Sequence, residues 1–117
     1  MLRAFFLGFI QIHILYHAAQ EPIYGAAIIA ELKRHGYDVS PGTLYPLLHA
    51  LEEAGYLAHT DRVVAGKVRK YYMATREGRR ALEELLPKLR ELVSEVLEGQ
   101  GPAHLPAPEE AFEEEER

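Results

Sequence analysis

SPGTLYPLLHALEEAG, residues 40–55, begins as helices begin and stops as they stop. Ser40 can cap the free N–H groups of a first turn, and Pro41 at the first helical position gives up a donor that would be unpaired there anyway. Gly55 supplies the left-handed residue that ends many helices. Between them Leu44, Leu47, Leu48 and Leu51 recur at i, i+3, i+4 and i+7, one apolar stripe. Turned away from the stripe are Thr43, Tyr45, Pro46 and His49, which are short, aromatic or polar and include no acid. A helix with a buried back and an uncharged, hydrogen-bonding front near its N-terminus suits insertion into a DNA major groove.

The flanks fit that reading. Upstream, Gln20-Glu21-Pro22 breaks one helix, and Tyr24 to His35 is a second with Ile28, Ile29 and Leu32 inward, ended by Gly36. Residues 36–39 are then a tight turn, so helix, turn and helix follow in order. Downstream, the apolar period changes from helical to alternating. Tyr56 to Val64 and Lys67 to Ala74 are rich in β-branched and aromatic residues around Ala65-Gly66, which predicts a β-hairpin. Helix-turn-helix plus hairpin is a winged helix, mainly α with an α+β wing.

Leu2 to Ala18 reads as an N-terminal helix. Leu2, Phe5, Phe9, Ile12 and Tyr16 form one seam, but Phe6, Leu7, Ile10, Ile14 and Leu15 make most of its circumference apolar. Such a helix must be covered on several sides, and a partner subunit is the expected cover. Arg3, Gln11, His13 and His17 interrupt it, so a membrane span is not expected, and without a basic start and a small-residue cleavage site neither is a signal peptide. At the other end, Thr75 caps a last helix in which Leu82, Leu85, Leu86, Leu89, Val93, Val96 and Leu97 repeat at three and four, a dimerisation seam. Pro87 within it is expected to kink or split the helix. The organisation read from the chain is therefore a winged-helix region at 1–74, a C-terminal dimerisation helix at 75–99 and an acidic tail at 100–117.

The net charge of −5 is uneven along the 117 residues. Six glutamates against one arginine in residues 103–117 account for all of it, and residues 1–102 sum to zero. Between Arg62 and Arg80, seven basic side chains face Glu77 alone, with Lys67, Arg69 and Lys70 at the hairpin tip and return strand. Concentrated basic charge on a wing is the electrostatic footprint of nucleic-acid binding. The chain has no cysteine, hence no disulfides or thiolate chemistry, and a cytoplasmic location is the simple reading.

Other function classes find less. No phosphate-cradling glycine loop, nucleophile motif or inward carboxylate pair is present, so an enzyme is not expected. His13 and His17 at i, i+4 can chelate a metal, but with no cysteine and no nearby inward acid the set is incomplete. No metal site and no cofactor are therefore assigned. The alternatives are a winged-helix protein-interaction module that has lost specific DNA binding, and a metal-responsive regulator.

Five short motifs occur in order: Pro22-x-Tyr24-Gly25, Ser40-Pro41-Gly42-Thr43-Leu44-Tyr45-Pro46, Leu51-Glu52-x-x-Gly55, Arg69-Lys70-Tyr71-Tyr72 and Thr75-x-x-Gly78-Arg79. Together, over about Leu2 to Gly99, the chain resembles the PadR family of bacterial transcriptional regulators, in its subgroup with a single C-terminal helix. The resemblance implies a homodimeric winged-helix repressor binding double-stranded DNA at an inverted-repeat operator. It implies DNA roles for Tyr24, Ser40, Gly42, Thr43, Tyr45 and His49, and for Lys67, Arg69 and Lys70 in the wing. It also implies that the last helix of each subunit packs on the first helix of the other, with small aromatic or hydrophobic effectors near that interface. Phe5, Phe6, Phe9, Ile12, Leu82, Leu85, Leu89, Val93 and Val96 are the residues expected there.

Overall fold

The computed structural model describes residues 1–99, in the order α1 (Leu2–Gln20), β1 (Ile23–Tyr24), α2 (Gly25–Arg34), α3 (Pro41–Glu53), β2 (Leu57–Val64), β3 (Lys67–Ala74) and α4 (Arg76–Val96). This is the expected winged helix. The acidic tail read at 100–117 lies outside the described residues.

The stripe of α3 is its core face: Leu44 and Leu48 are fully buried and Leu51 nearly so. At its start the Ser40 hydroxyl accepts from the Thr43 N–H at 3.3 Å, a cap that stabilises such helices by about 1 kcal/mol. At its end Gly55 has φ 87°, which lets the Tyr56 N–H reach the Leu51 carbonyl and the Gly55 N–H the Glu52 carbonyl, both at 2.9 Å. The same pair of bonds closes α2 at Gly36, φ 89°, with Tyr37 donating to Leu32 and Gly36 to Lys33. A glycine stop at Gly36 and a capped start four residues later at Ser40 make the helix-turn-helix.

Residues Met1–Glu84 form one compact unit, and a second begins at Leu85. The core of the first gathers Ile10, Ile14, Leu15 and Ala18 of α1, Ile28 and Leu32 of α2, the α3 stripe, and Leu57, Tyr72 and Ala74 of the sheet. Between Tyr71 and Tyr72, Tyr72 is thus the core residue, while Tyr71 stays half-exposed on the other face of β3.

Four readings change. The hairpin is part of a three-stranded antiparallel sheet in the order β1-β3-β2, because Ile23 and Tyr24 pair with Tyr72 and Tyr71. Two residues carry no period, so β1 was invisible as a strand. Pro87 does not split α4, which runs unbroken from Arg76 to Val96. The proline removes one donor from an exposed stretch, where the freed Glu83 carbonyl can turn to water. Thr43 is half-buried rather than turned fully outward, with the Arg3 guanidinium 3.5 Å from its hydroxyl.

The fourth concerns α1. At 19 residues and a mean hydropathy of 1.3 it is long and apolar enough to cross a membrane by length and composition. One side of it nevertheless supplies four core residues, while Leu2, Phe5, Phe6, Phe9 and Tyr16 are exposed. The seam anticipated on this helix is therefore its outward face.

Candidate nucleic-acid interface

The front of α3 keeps Ser40, Pro41, Gly42, Tyr45, Pro46 and His49 exposed, with no carboxylate among them. A Cβ at Gly42 would meet nothing nearer than the Ser40 hydroxyl at 3.7 Å, so the glycine leaves open backbone at the helix start without a steric demand behind it. The free N–H groups of such a first turn, with the positive end of the helix dipole, attract phosphate. The Ser40 hydroxyl accepts from the Thr43 N–H at 3.3 Å and donates to the Thr43 hydroxyl at 3.4 Å, so both of its roles serve the cap.

Beside this front a groove of ≈ 530 Å³ separates α3 from the wing. Tyr24 and Gly25 line it at the start of α2, Tyr45 and His49 on α3, and Val68, Arg69 and Lys70 on β3. The Tyr45 ring lies against Gly25, where a side chain would collide with it. The hairpin register brings Arg62 opposite Arg69 and Tyr24 opposite Tyr71. On that face the Arg69 guanidinium sits 4.6 Å from the centre of the Tyr24 ring and Arg62 sits 4.4 Å from that of Tyr71, with the two tyrosines 5.4 Å apart.

Each such cation–π contact is worth about 0.5–1 kcal/mol at an exposed site. Here they fix the arginines on aromatic supports while leaving N–H donors free. Among the described residues none of Lys67, Arg69 and Lys70 makes a salt bridge, although Asp61 stands opposite Lys70 in register. The hairpin turns at Ala65-Gly66 with φ of 52° and 77°, a two-residue turn that puts Lys67 beside the wing tip.

Of the residues expected from the sequence, Tyr24, Tyr45, His49, Arg69 and Lys70 share this groove. Ser40, Gly42 and Thr43 lie at the α3 start and Lys67 at the wing tip, outside it. Gly25, Val68, Arg62 and Arg3 were missed. The alternation of β3 places Val68 and Lys70 on one face and Arg69 and Tyr71 on the other, but which face borders α3 depends on how β1 pairs.

The residues expected at an effector and dimer interface fall into two groups. Phe5, Phe6 and Phe9 on α1 are exposed and Ile12 is half-buried; Phe6 also meets the Tyr37 ring edge-on at 6.2 Å and lines a second cavity of ≈ 580 Å³ with Leu2, Arg3, Tyr37 and Val39. On α4, Leu82, Leu85 and Leu89 are half-buried, and Val93 and Val96 exposed.

The i, i+4 histidines of α1 gain neighbours that sequence spacing did not supply. His35, just past α2, stacks on His13 at 4.6 Å, and the candidate ligand atoms of His13, His17 and His35 lie within 4.8 Å of one another. Glu31 of α2 points one carboxylate oxygen at both His17 and His35, at 3.6 and 3.4 Å. Burial, then the neighbouring His35 and His17, holds the His13 imidazole below its ordinary range.

Comparison with known proteins agrees across sequence and fold. Residues 14–84 match the model of the transcriptional regulator PadR-like family. The chain is 52% identical over 99 residues to transcriptional regulator Rv3488 of Mycobacterium tuberculosis, covering 85% of this chain and 92% of that protein. Its fold is similar to that of a PadR-like transcriptional regulator from Bacillus cereus, with a TM-score of 0.70 and 31% identity over 83% of this chain and 95% of the other. A PadR family regulator from Eggerthella lenta is similar at a TM-score of 0.69 and 30% identity, over 87% and 91%.

Proposed function

The chain belongs to the transcriptional regulator PadR-like family, and on that premise we propose that it is a homodimeric, cytoplasmic repressor that binds double-stranded DNA through α3 and the wing. It is a transcriptional regulator and not an enzyme. The observation that carries the DNA reading is the groove between α3 and β3, where Tyr24, Tyr45, His49, Arg69 and Lys70 converge beside an acid-free, capped helix start.

In this reading α3 enters the major groove by its N-terminal half, with Thr43, Tyr45 and His49 toward base edges and Ser40 and the open backbone at Gly42 on phosphate. The wing lays Lys67, Arg69 and Lys70 along the flanking backbone. A dimer would place two α3 helices about 34–36 Å apart on an inverted repeat. The exposed face of α1, with Phe5 and Phe9 outward, and the stripe of α4 supply apolar surface for a partner subunit. Each last helix would pack on the partner's first helix, and an aromatic or hydrophobic effector held there would release DNA by favouring the dimer with the wrong helix spacing.

Fluorescence anisotropy with DNA from upstream of the protein's own gene tests the reading. If each subunit places three to five cations on phosphates, log affinity falls against log salt with a slope of roughly −5 to −9. A salt-insensitive complex, or none, sinks it.

A further inference from the structure

We propose that His13, His17 and His35, with Glu31, form a site for one borderline divalent transition-metal ion of the Zn²⁺ class, clamping α1 to the end of α2. On a tetrahedral ion with bonds of about 2.0–2.1 Å, two nitrogen or oxygen ligands stand about 3.3–3.4 Å apart. The Glu31 oxygen already stands 3.6 Å from His17 Nε2 and 3.4 Å from His35 Nε2, near shared-ion spacing from each. From their 4.8 Å limit the three imidazoles need to draw in by at most about 1.5 Å, within reach of side-chain rotation at half-exposed and exposed residues.

The chemistry of the set selects its ion. Three imidazoles and one carboxylate without a thiolate suit Zn²⁺, Co²⁺, Ni²⁺ or Cu²⁺ and not the oxygen-seeking Mg²⁺ or Ca²⁺. The outer shell is present too. Arg34 holds the other Glu31 oxygen at 2.9 Å, which aims the first at the histidines, and the Tyr37 and Tyr16 rings meet His13 and His17 edge-on. The three rings gather with centroids 4.6–6.4 Å apart, His13 stacked on both His17 and His35 and the latter pair tilted. A metal ion takes imidazole in its neutral form, through a ring-nitrogen lone pair.

The ligands come from two elements with different tasks. His13 and His17 belong to α1, whose outward face is the proposed dimer surface, and His35 opens the turn into α3. An ion bridging them fixes the angle between dimer surface and reading helix. This regulatory consequence rests on the proposed function; the site itself does not.

The experiment uses the full-length, tag-free chain stripped with chelator, titrated calorimetrically with Zn²⁺ and followed in the visible with Co²⁺. One ion per chain, tetrahedral Co²⁺ bands, a raised Tm and no response to Mg²⁺ are expected. His35→Ala and His17→Gln, checked by circular dichroism, lower the affinity at least tenfold, while His59→Gln leaves it unchanged. No saturable Zn²⁺ binding, or binding that survives in folded His35→Ala, overturns the site. DNA anisotropy with and without Zn²⁺ reads the consequence separately: a change of threefold or more that disappears in His35→Ala supports coupling, and equal affinities overturn coupling.

Discussion

Tyr45 closes over Gly25. A Cβ at position 25 would stand 2.5 Å from the Tyr45 hydroxyl oxygen and 3.0 Å from Cζ, so the ring packs across the start of α2 because that residue has no side chain. The contact holds the exposed tyrosine of α3 against the floor of the groove and sets where its hydroxyl points.

Gly25→Ala displaces the far end of a flexible side chain and no backbone. The fold should therefore survive, with a Tm near that of the parent, while Tyr45 swings out of the groove. DNA affinity is expected to drop by about 1 kcal/mol, roughly fivefold. Thermal melting and anisotropy on the same preparation separate the two effects; an unchanged affinity argues against a DNA role for Tyr45.

Arg69 and Thr43 should fail differently. Arg69→Ala removes a cation and leaves Tyr24 without its partner, so specific and non-specific DNA should weaken about equally. The salt slope should become shallower by about 0.9 per subunit. Thr43→Ala removes no charge and should erode discrimination between operator and random DNA at an unchanged slope. Competition titrations at three salt concentrations distinguish them.

Gly78 is a structural counterpart to Gly25 with the opposite outcome. Here an added Cβ would collide with the Tyr56 backbone carbonyl, which also accepts from the Thr75 N–H at 3.0 Å, and backbone cannot rotate away. Thr75 meanwhile caps Gly78 at 3.0 Å and donates to the Gly55 carbonyl, tying the α4 start to the end of α3. Gly78→Ala should destabilise by about 2–4 kcal/mol in urea titration. A loss within 0.5 kcal/mol, roughly the scale of an ordinary surface change, would mean the junction yields more easily than its geometry implies.

Ala65 holds φ at 52° in the wing turn, a left-handed conformation that costs a Cβ residue about 1 kcal/mol. Ala65→Asn makes the turn Asn-Gly, which two-residue hairpins prefer. Tm should rise and DNA affinity should hold, since residue 65 carries no charge to lose. A fall in Tm would indicate that the turn is not the strained element.

The local signals in the sequence were strong for α2, α3, the hairpin and α4, because each is bounded by its own punctuation: Gly36, Ser40 with Pro41, Gly55, Ala65-Gly66 and Thr75. Those residues act within a few positions of themselves, so spacing alone locates them. The groove was half legible for the same reason. Tyr45 and His49 follow from the stripe they oppose, and Arg69 and Lys70 from a charge run, but nothing local says that Tyr24 carries Arg69.

That pairing, like the meeting of His35 and Glu31 with the α1 histidines, joins residues far apart in the chain. Tyr24 reaches the wing through β1, a strand too short to have a period, and His35 reaches His13 because α1 and α2 pack across the core. The stretch at 40–55 determined by itself a capped helix with one buried stripe and an acid-free front. Tertiary structure decided what stands beside that front, since a side chain's neighbours depend on packing between elements, which no local period encodes.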